Sequence, residues 1–234
     1  MKIKKTHLDL KYFSLREKIL WSASVILIIT SFVLFDRQNF LTLAASLIGV
    51  TSLIYNAKGN PIGQVLIIIF SLLYGGISYT FSYYGEMATY LGMTAPMSVF
   101  SLISWLKNPY NGNRAEVEIN SLNRRDIIVM TILSVTVTLI FFVILKAFGT
   151  ANLIPSTISV TTSFLAVYLT YKRSSFFALA YAANDIVLIV LWTLAAVTDI
   201  SYLSVTTCFA MFLINDSYTF LNWTRMHRRQ KALS

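Results

Sequence analysis

The chain has 234 residues, of which 56% are hydrophobic and only 12% are charged, and its mean hydropathy is +0.66. A soluble domain usually carries about twice that charged fraction, so the composition excludes an ordinary soluble protein. The net charge of +9 does not indicate nucleic-acid binding, because the cations stand mainly at the ends of apolar runs, where they fit lipid headgroups and membrane topology. The single cysteine, Cys208, excludes an intrachain disulfide, and the sequence predicts neither a metal site nor a cofactor.

Eight apolar runs are long enough to predict membrane-spanning helices. In chain order they are Ile19–Phe35, Phe40–Asn56, Ile62–Tyr84, Met87–Trp105, Ile127–Phe148, Leu153–Tyr171, Ser174–Val197 and Ile200–Asn222. Small and polar residues dilute the fourth run, a composition that is tolerated where a helix faces protein or a water-filled cavity. The sequence therefore predicts an all-α membrane protein with eight transmembrane helices.

Lysine and arginine alternate between the loops as the positive-inside rule requires. With the N-terminus in the cytoplasm, all of the 19 cations except Arg37 and Lys146 face the cytoplasmic side. Removing any one span would break this alternation. Both termini are therefore predicted to be cytoplasmic.

The second half of the chain repeats part of the first half at a shift of 118 residues. The matched pairs are Leu73 and Leu191, Tyr74 and Trp192, Thr89 and Thr207, Met93 and Met211, Phe100 and Tyr218, Trp105 and Trp223, and Lys107 and Arg225. Spans two to four and six to eight then form two triplets that cross in the same direction, because span five stands between them. Such parallel repeats are typical of transporters that bind a substrate between the two copies.

These observations divide the chain into seven parts. They are the cytoplasmic N-tail 1–18, an extra N-terminal transmembrane helix 19–36, the first three-helix repeat 37–106, a cytoplasmic linker 107–126, a linking transmembrane helix 127–149, the second three-helix repeat 150–223 and the basic cytoplasmic C-tail 224–234. We expect the linker to be a solvated connector. Trp105 and Trp223, beside basic residues, are predicted to be interfacial anchors.

Two aspartates lie inside predicted spans, Asp185 near the middle of the seventh and Asp216 in the inner half of the eighth. An ionised carboxylate at such a depth costs at least ~2.5 kcal/mol, so it must face the bundle interior and find partners. For Asp185, a functional role is favoured over a purely structural one. For Asp216, pairing with a nearby basic residue explains the position equally well.

Two segments resemble the PnuC family of vitamin transporters. They are Pro96-Met97-Ser98 through Ser104-Trp105-Leu106-Lys107-Asn108-Pro109, and Asn215-Asp216-Ser217-Tyr218-Thr219-Phe220-Leu221-Asn222-Trp223 with its basic tail. The likeness extends from about Phe40 to Gln230. It implies a SWEET-like 3+1+3 fold in the cytoplasmic (inner) membrane and uptake of nicotinamide riboside by facilitated diffusion through alternating access. It also implies a homo-oligomer and a cytoplasmic kinase that traps the substrate. Similar proteins carry thiamine, riboflavin or deoxynucleosides.

Polar and aromatic residues of spans three, seven and eight are the predicted substrate site. They are Gln64, Tyr74, Tyr181, Asn184, Asp185, Trp192, Asn215, Tyr218 and Asn222. Aromatic faces attract a flat cation such as the pyridinium ring. Side-chain amides pair with its carboxamide and with ribose hydroxyls, and Asp185 offsets its charge.

Two alternatives from other classes of mechanism remain open at this point, and a third lacks a required residue. Intramembrane carboxylates often relay protons, so a proton-coupled symporter is one of them. A membrane-embedded hydrolase would use Asp185 and Asp216 as an acid–base pair held in one pocket. A retinal protein would need a lysine inside a late span, and spans six to eight contain none. A transporter that is not an enzyme remains the favoured interpretation.

Overall fold

The structure is a computed structural model that describes residues 12–80, 84–150 and 152–233, and these are mostly helical. The helices are α1 (Leu15–Ser31), α2 (Phe40–Ala57), α3 (Ile62–Thr80), α4 (Tyr84–Thr89), α5 (Ala95–Lys107), α6 (Arg124–Ala147), α7 (Leu153–Tyr171), α8 (Phe177–Ala196) and α9 (Leu203–Ala232). Two π-helical turns, Phe32–Asp36 and Tyr90–Thr94, follow α1 and α4, and a 3₁₀ turn, Ile200–Tyr202, precedes α9. A short hairpin of β1 (Pro109–Tyr110) and β2 (Asn113–Val117) follows α5.

Six of the helices form a ring. Around it, α2, α3, α5, α7, α8 and α9 each pack on the next, and α9 returns to α2. Outside the ring, α1 packs on α2 and α9, and α6 packs on α7. The order of contacts within α2, α3 and α5 is the same as within α7, α8 and α9, although the SWEET-like parallel repeat itself stays a prediction. The ring leaves one central space between the two triplets, α2–α3–α5 and α7–α8–α9.

Among the described residues, six helices are long and apolar enough to cross a membrane. They are Leu15–Asp36, Phe40–Ala57, Ile62–Tyr79, Arg124–Ala147, Leu153–Tyr171 and Phe177–Ala196. The chain is therefore a multi-pass membrane protein. The predicted span Met87–Trp105 coincides with α4 and α5, which a π turn separates. The predicted span Ile200–Asn222 lies mostly on α9, which is a polar helix. The count of eight spans consequently stays a prediction.

Several boundaries differ from the predicted ones. Helix α1 begins at Leu15, inside the predicted tail 1–18, because Ser14 and Glu17 form a capping box at its start. Residues 1–11 of that tail and residues 81–83 at the end of the predicted third span lie outside the described part. Helix α9 continues to Ala232, through most of the predicted basic tail.

The linker is packed against the helix ends, where the sequence predicted a solvated connector. Val117 is fully buried, and its N–H donates to the carbonyl of Gly59 in the turn between α2 and α3 at 2.9 Å. The N–H of Asn120 donates to the carbonyl of Arg173, in the turn between α7 and α8, at 3.0 Å. Gln230 of α9 accepts from the N–H of Ile119 at 2.8 Å. The linker therefore joins the ends of both triplets.

Trp105 and Trp223 are not interfacial anchors. Their exposed fractions are 1% and 0%, and both pack with Phe177 in a buried cluster at the linker end of the ring. Both tryptophans stand near basic residues in the sequence, which suggested a position at the membrane interface. In the fold, however, the ends of α5 and α9 meet and bury the two rings between them. This cluster closes the central space at the linker end.

Candidate functional site

A cavity of about 40 Å³ lies at the centre of the ring. Its lining residues are Leu53, Asn56, Ile67, Phe70, Tyr90, Thr94, Ser163, Phe177, Tyr181, Asn184, Asp185, Phe209, Phe212 and Asp216. They come from α2, α3, α7, α8, α9 and the π turn between α4 and α5. Of the predicted site residues, Tyr181, Asn184 and Asp185 are among them. We call this space the central cavity.

The carboxyl groups of Asp185 and Asp216 meet in the central cavity. Both residues line this cavity, and the two side chains are only 3% and 2% exposed. Asp185 Oδ2 and Asp216 Oδ1 have no hydrogen-bond donor among the described residues. None of the described residues that line the cavity is basic, and buried carboxyl groups without a basic partner favour a cation beside them.

Hydroxyl groups of α7 fix the side chain of Asn184. Its Oδ1 accepts from Thr162 Oγ1 at 2.8 Å and from Ser159 Oγ at 3.2 Å. Its oxygen is thereby held towards α7, and its NH₂ group is the donor left for a ligand. Asn184 therefore provides a positioned hydrogen-bond donor next to the carboxyl pair.

Gln64 lies behind the cavity wall. Its Nε2 donates to Oδ1 of Asn56 at 2.9 Å, and Gln64 is only 2% exposed. Asn56, which the sequence analysis did not select, is the residue that lines the cavity. Gln64 thus orients Asn56 and does not line the cavity itself.

Tyr74 and Trp192 belong to an aromatic layer beyond the central cavity. The ring of Tyr74 lies 4.6 Å from that of Tyr90, which lines the cavity, and 6.1 Å from that of Trp192. Trp192 follows Asp185 by two helical turns, about 10.5 Å along α8. It lines a second cavity of about 190 Å³.

Three of the predicted residues on α9 are engaged in packing. Asn215 donates to Ser24 Oγ at 2.9 Å, Tyr218 donates to Glu17 Oε1 at 3.1 Å, and Asn222 donates to the carbonyl of Ala57 at 2.7 Å. The polar stripe of α9 therefore faces α1 and the end of α2, and not the cavity. The sequence analysis assigned these residues to the substrate and did not anticipate that the extra N-terminal helix would pack against them.

The residues that sequence analysis missed carried only weak signals. Thr94 was one of the small and polar residues that dilute the fourth run, and it lies in a π turn, a feature frequent at functional sites. Asn56 stands at the very end of the second run, and Ser163 is one of many hydroxyl residues on α7. For these two, only packing identifies the cavity-facing side.

Comparisons with known proteins agree with this architecture. The model of the family described as nicotinamide mononucleotide transporters matches residues 39–225. The nicotinamide riboside transporter PnuC of Neisseria mucosa is 26% identical over 202 residues, which cover 85% of this chain and 77% of the relative. That of Haemophilus influenzae is 23% identical over 197 residues, 82% of each chain. A crystal structure of the vitamin B3 transporter PnuC superposes with a TM-score of 0.81 at 24% identity and covers 93% of this chain and 94% of the other.

Proposed function

The chain belongs to the nicotinamide mononucleotide transporter family, and from this premise we propose that it takes up nicotinamide riboside through the central cavity. Members of the family are transporters, so the chain is a transporter and not an enzyme. One cavity that holds both Asp185 and Asp216 also meets a requirement of the hydrolase hypothesis. Because members of the family are transporters, we nevertheless assign these two aspartates a role in transport and not in hydrolysis.

The observation that carries the proposal is the carboxyl pair beside aromatic rings in the central cavity. Nicotinamide riboside has a flat pyridinium cation, a carboxamide and ribose hydroxyls. The pair of Asp185 and Asp216 offsets the positive charge, and the rings of Tyr90 and Tyr181 supply faces that attract a cation. The NH₂ group of Asn184 suits the carboxamide or a hydroxyl oxygen.

Charge favours the riboside over the mononucleotide. A phosphate group would add negative charge next to the two carboxyl groups, and none of the described residues that line the cavity is basic. Like charges in a poorly solvated site repel strongly. The same reasoning favours cationic vitamins, including thiamine, over uncharged riboflavin or deoxynucleosides.

Transport requires the central cavity to enlarge. Its volume of about 40 Å³ is close to the ~30 Å³ share of one water molecule in the liquid, far below the ~300 Å³ of a small-molecule site. Trp105 and Trp223 close it at the linker end, and Tyr74 lies in the aromatic layer on the other side. We infer alternating access, in which one triplet moves against the other and opens each end in turn.

The further parts of the proposal follow the family resemblance. We propose eight spans in the cytoplasmic (inner) membrane, both termini in the cytoplasm, a homo-oligomer, and facilitated diffusion with a cytoplasmic kinase that consumes the substrate. A proton-coupled symporter is the alternative that the carboxyl pair keeps open, because such pairs accept and release protons.

Uptake of radiolabelled nicotinamide riboside by proteoliposomes tests the proposal. We expect saturable uptake that reaches but does not exceed the external concentration, and competition by unlabelled riboside but not by the mononucleotide. No uptake, with the protein folded in the vesicles, contradicts the proposal. Accumulation driven by an imposed pH gradient, and its loss in Asp185→Asn, would identify the symporter instead.

A further inference from the structure

The second cavity lies at the end of the molecule opposite the linker. It is formed at the start of α4, the start of α7 and the end of α8, and its volume is about 190 Å³. Its polar lining consists of Glu86, Thr150, Asn152, Ser156 and Thr198, and Trp192 forms an aromatic part of its wall. In the predicted topology it faces the outside, so we call it the outer cavity.

Glu86 is the residue of the outer cavity that indicates a bound ligand. The residue is only 7% exposed, and its Oε2 has no hydrogen-bond partner among the described residues. A buried carboxylate without a partner is strongly destabilising. Among the described lining residues there is no lysine, arginine or histidine to compensate it. Thr150 Oγ1 is likewise buried and without a partner in the described part of the chain.

We propose that the outer cavity is a second binding site, specific for an organic cation with a flat ring. Glu86 would supply the opposite charge, and Trp192 would supply an aromatic face, a combination that attracts such a cation strongly when water is excluded. The volume is below the ~300 Å³ of a site for a whole small molecule. The site therefore takes the cationic ring and leaves the rest of the ligand outside.

A single aromatic layer separates this site from the central cavity. The ring of Trp192 contacts that of Tyr74, and Tyr74 contacts Tyr90 of the central cavity. A cation bound at Glu86 is thus one side-chain layer away from the pair of Asp185 and Asp216. As a step in transport, this inference rests on the proposed function, and the outer cavity would then capture nicotinamide riboside by its pyridinium ring before the layer opens.

Calorimetric titration of the purified full-length protein with 1-methylnicotinamide tests the outer site directly. This pyridinium cation has the ring of the proposed substrate but no ribose, and uncharged nicotinamide is its matched control. We expect the cation to bind more tightly than nicotinamide, and Glu86→Gln to weaken its binding at least tenfold. Glu118→Gln, which removes a carboxylate from an exposed position, should change nothing.

Unchanged affinity in a folded Glu86→Gln protein overturns the outer site, and so does equal affinity of the wild type for cation and neutral ring. A parallel measurement of riboside uptake distinguishes failure of the outer site from failure of the proposed function. If the wild type binds the pyridinium through Glu86 but does not take up the riboside, the proposed function is wrong and the site stands. If uptake proceeds and Glu86→Gln alters neither binding nor KM, the site is wrong and the function stands.

Discussion

The indole rings of Trp105 and Trp223 lie with their centroids 5.4 Å apart, and each hydrogen bonds to the opposite triplet. Trp105 Nε1 donates to the carbonyl of Thr170 at the end of α7, at 3.0 Å. Trp223 Nε1 donates to the carbonyl of Asn56 at the end of α2, at 2.8 Å. The two halves of the molecule are thus joined by a reciprocal pair of bonds.

The residue before each tryptophan repeats this arrangement. Ser104 Oγ donates to the carbonyl of Tyr171 at 2.9 Å, and Asn222 Nδ2 donates to that of Ala57 at 2.7 Å. Ser104 and Asn222 are related by the same shift as the two tryptophans. A hydroxyl and an amide therefore make equivalent hydrogen bonds in the two halves. The repeat consequently does not require the same residue type at every matched position.

Removing either indole N–H should destabilise the protein. We expect Trp105→Phe and Trp223→Phe each to lower the unfolding temperature, because each removes a buried hydrogen bond between the two triplets, worth about 0.5–1.5 kcal/mol. Thermal unfolding in detergent measures the effect. Trp21→Phe is the matched control, since its indole donates to Thr51 at an exposed position. An equal loss in all three variants would contradict this assignment.

The ion pair of Lys172 and Asp126 predicts a pH dependence of stability. Their charged atoms are 2.8 Å apart, and the hydrogen bond to the Asp126 carboxylate raises the pKa of Lys172 above its usual value. Because the folded-state pKa is the higher one, the stabilisation is complete below the unfolded value and is lost as the pH rises through the folded one. A pair near the surface contributes less than about 1 kcal/mol.

Unfolding temperatures of wild type and Lys172→Gln, followed from pH 7 to pH 12, check this prediction. The variant should be slightly less stable at pH 7, and the difference should shrink at the alkaline end. A difference that is constant over this range would show that charge pairing is not its cause.

Helix α3 offers a matched pair of glycines. A Cβ at Gly63 would lie 2.2 Å from Asn56 Oδ1 and 2.8 Å from the Asn56 backbone N, whereas a Cβ at Gly76 meets nothing within 4 Å. We expect Gly63→Ala to destabilise the protein by about 1–3 kcal/mol through overpacking, and to weaken substrate binding because Asn56 lines the central cavity. Gly76→Ala should be neutral or slightly stabilising. Thermal unfolding and uptake of both variants provide the comparison, and a tolerated Gly63→Ala would contradict it.

Hydropathy predicted most helices closely, since it depends on local composition. The predicted run Leu153–Tyr171 has the bounds of α7, and Phe40–Asn56 ends one residue before α2 does. The hairpin carried a local signal that was overlooked. Asn111 and Gly112 both have positive φ, as a tight hairpin turn requires, and Asn-Gly is the favoured sequence for it.

The site was harder to predict because it depends on helix rotation. On α8, helical spacing grouped Tyr181, Asp185 and Trp192; the first two line the central cavity, whereas Trp192 lines the second one. On α9, the polar stripe through Asn215 and Tyr218 looked equally suitable, but it faces α1, whereas the neighbouring Asp216 faces the cavity. A rotation of one residue, about 100°, separates these two faces, and the sequence does not say which of them α1 covers.

The most direct measurement of the central claim is riboside uptake by Asn184→Ala and Tyr218→Phe, at matched protein levels in proteoliposomes. Both side chains were plausible ligands by sequence, but only Asn184 lines the central cavity, whereas Tyr218 donates to Glu17. We expect Asn184→Ala to lower kcat/KM for nicotinamide riboside at least tenfold and Tyr218→Phe to leave it within about twofold. Wild-type uptake by Asn184→Ala, or a larger loss in Tyr218→Phe, would contradict a substrate site between the two triplets.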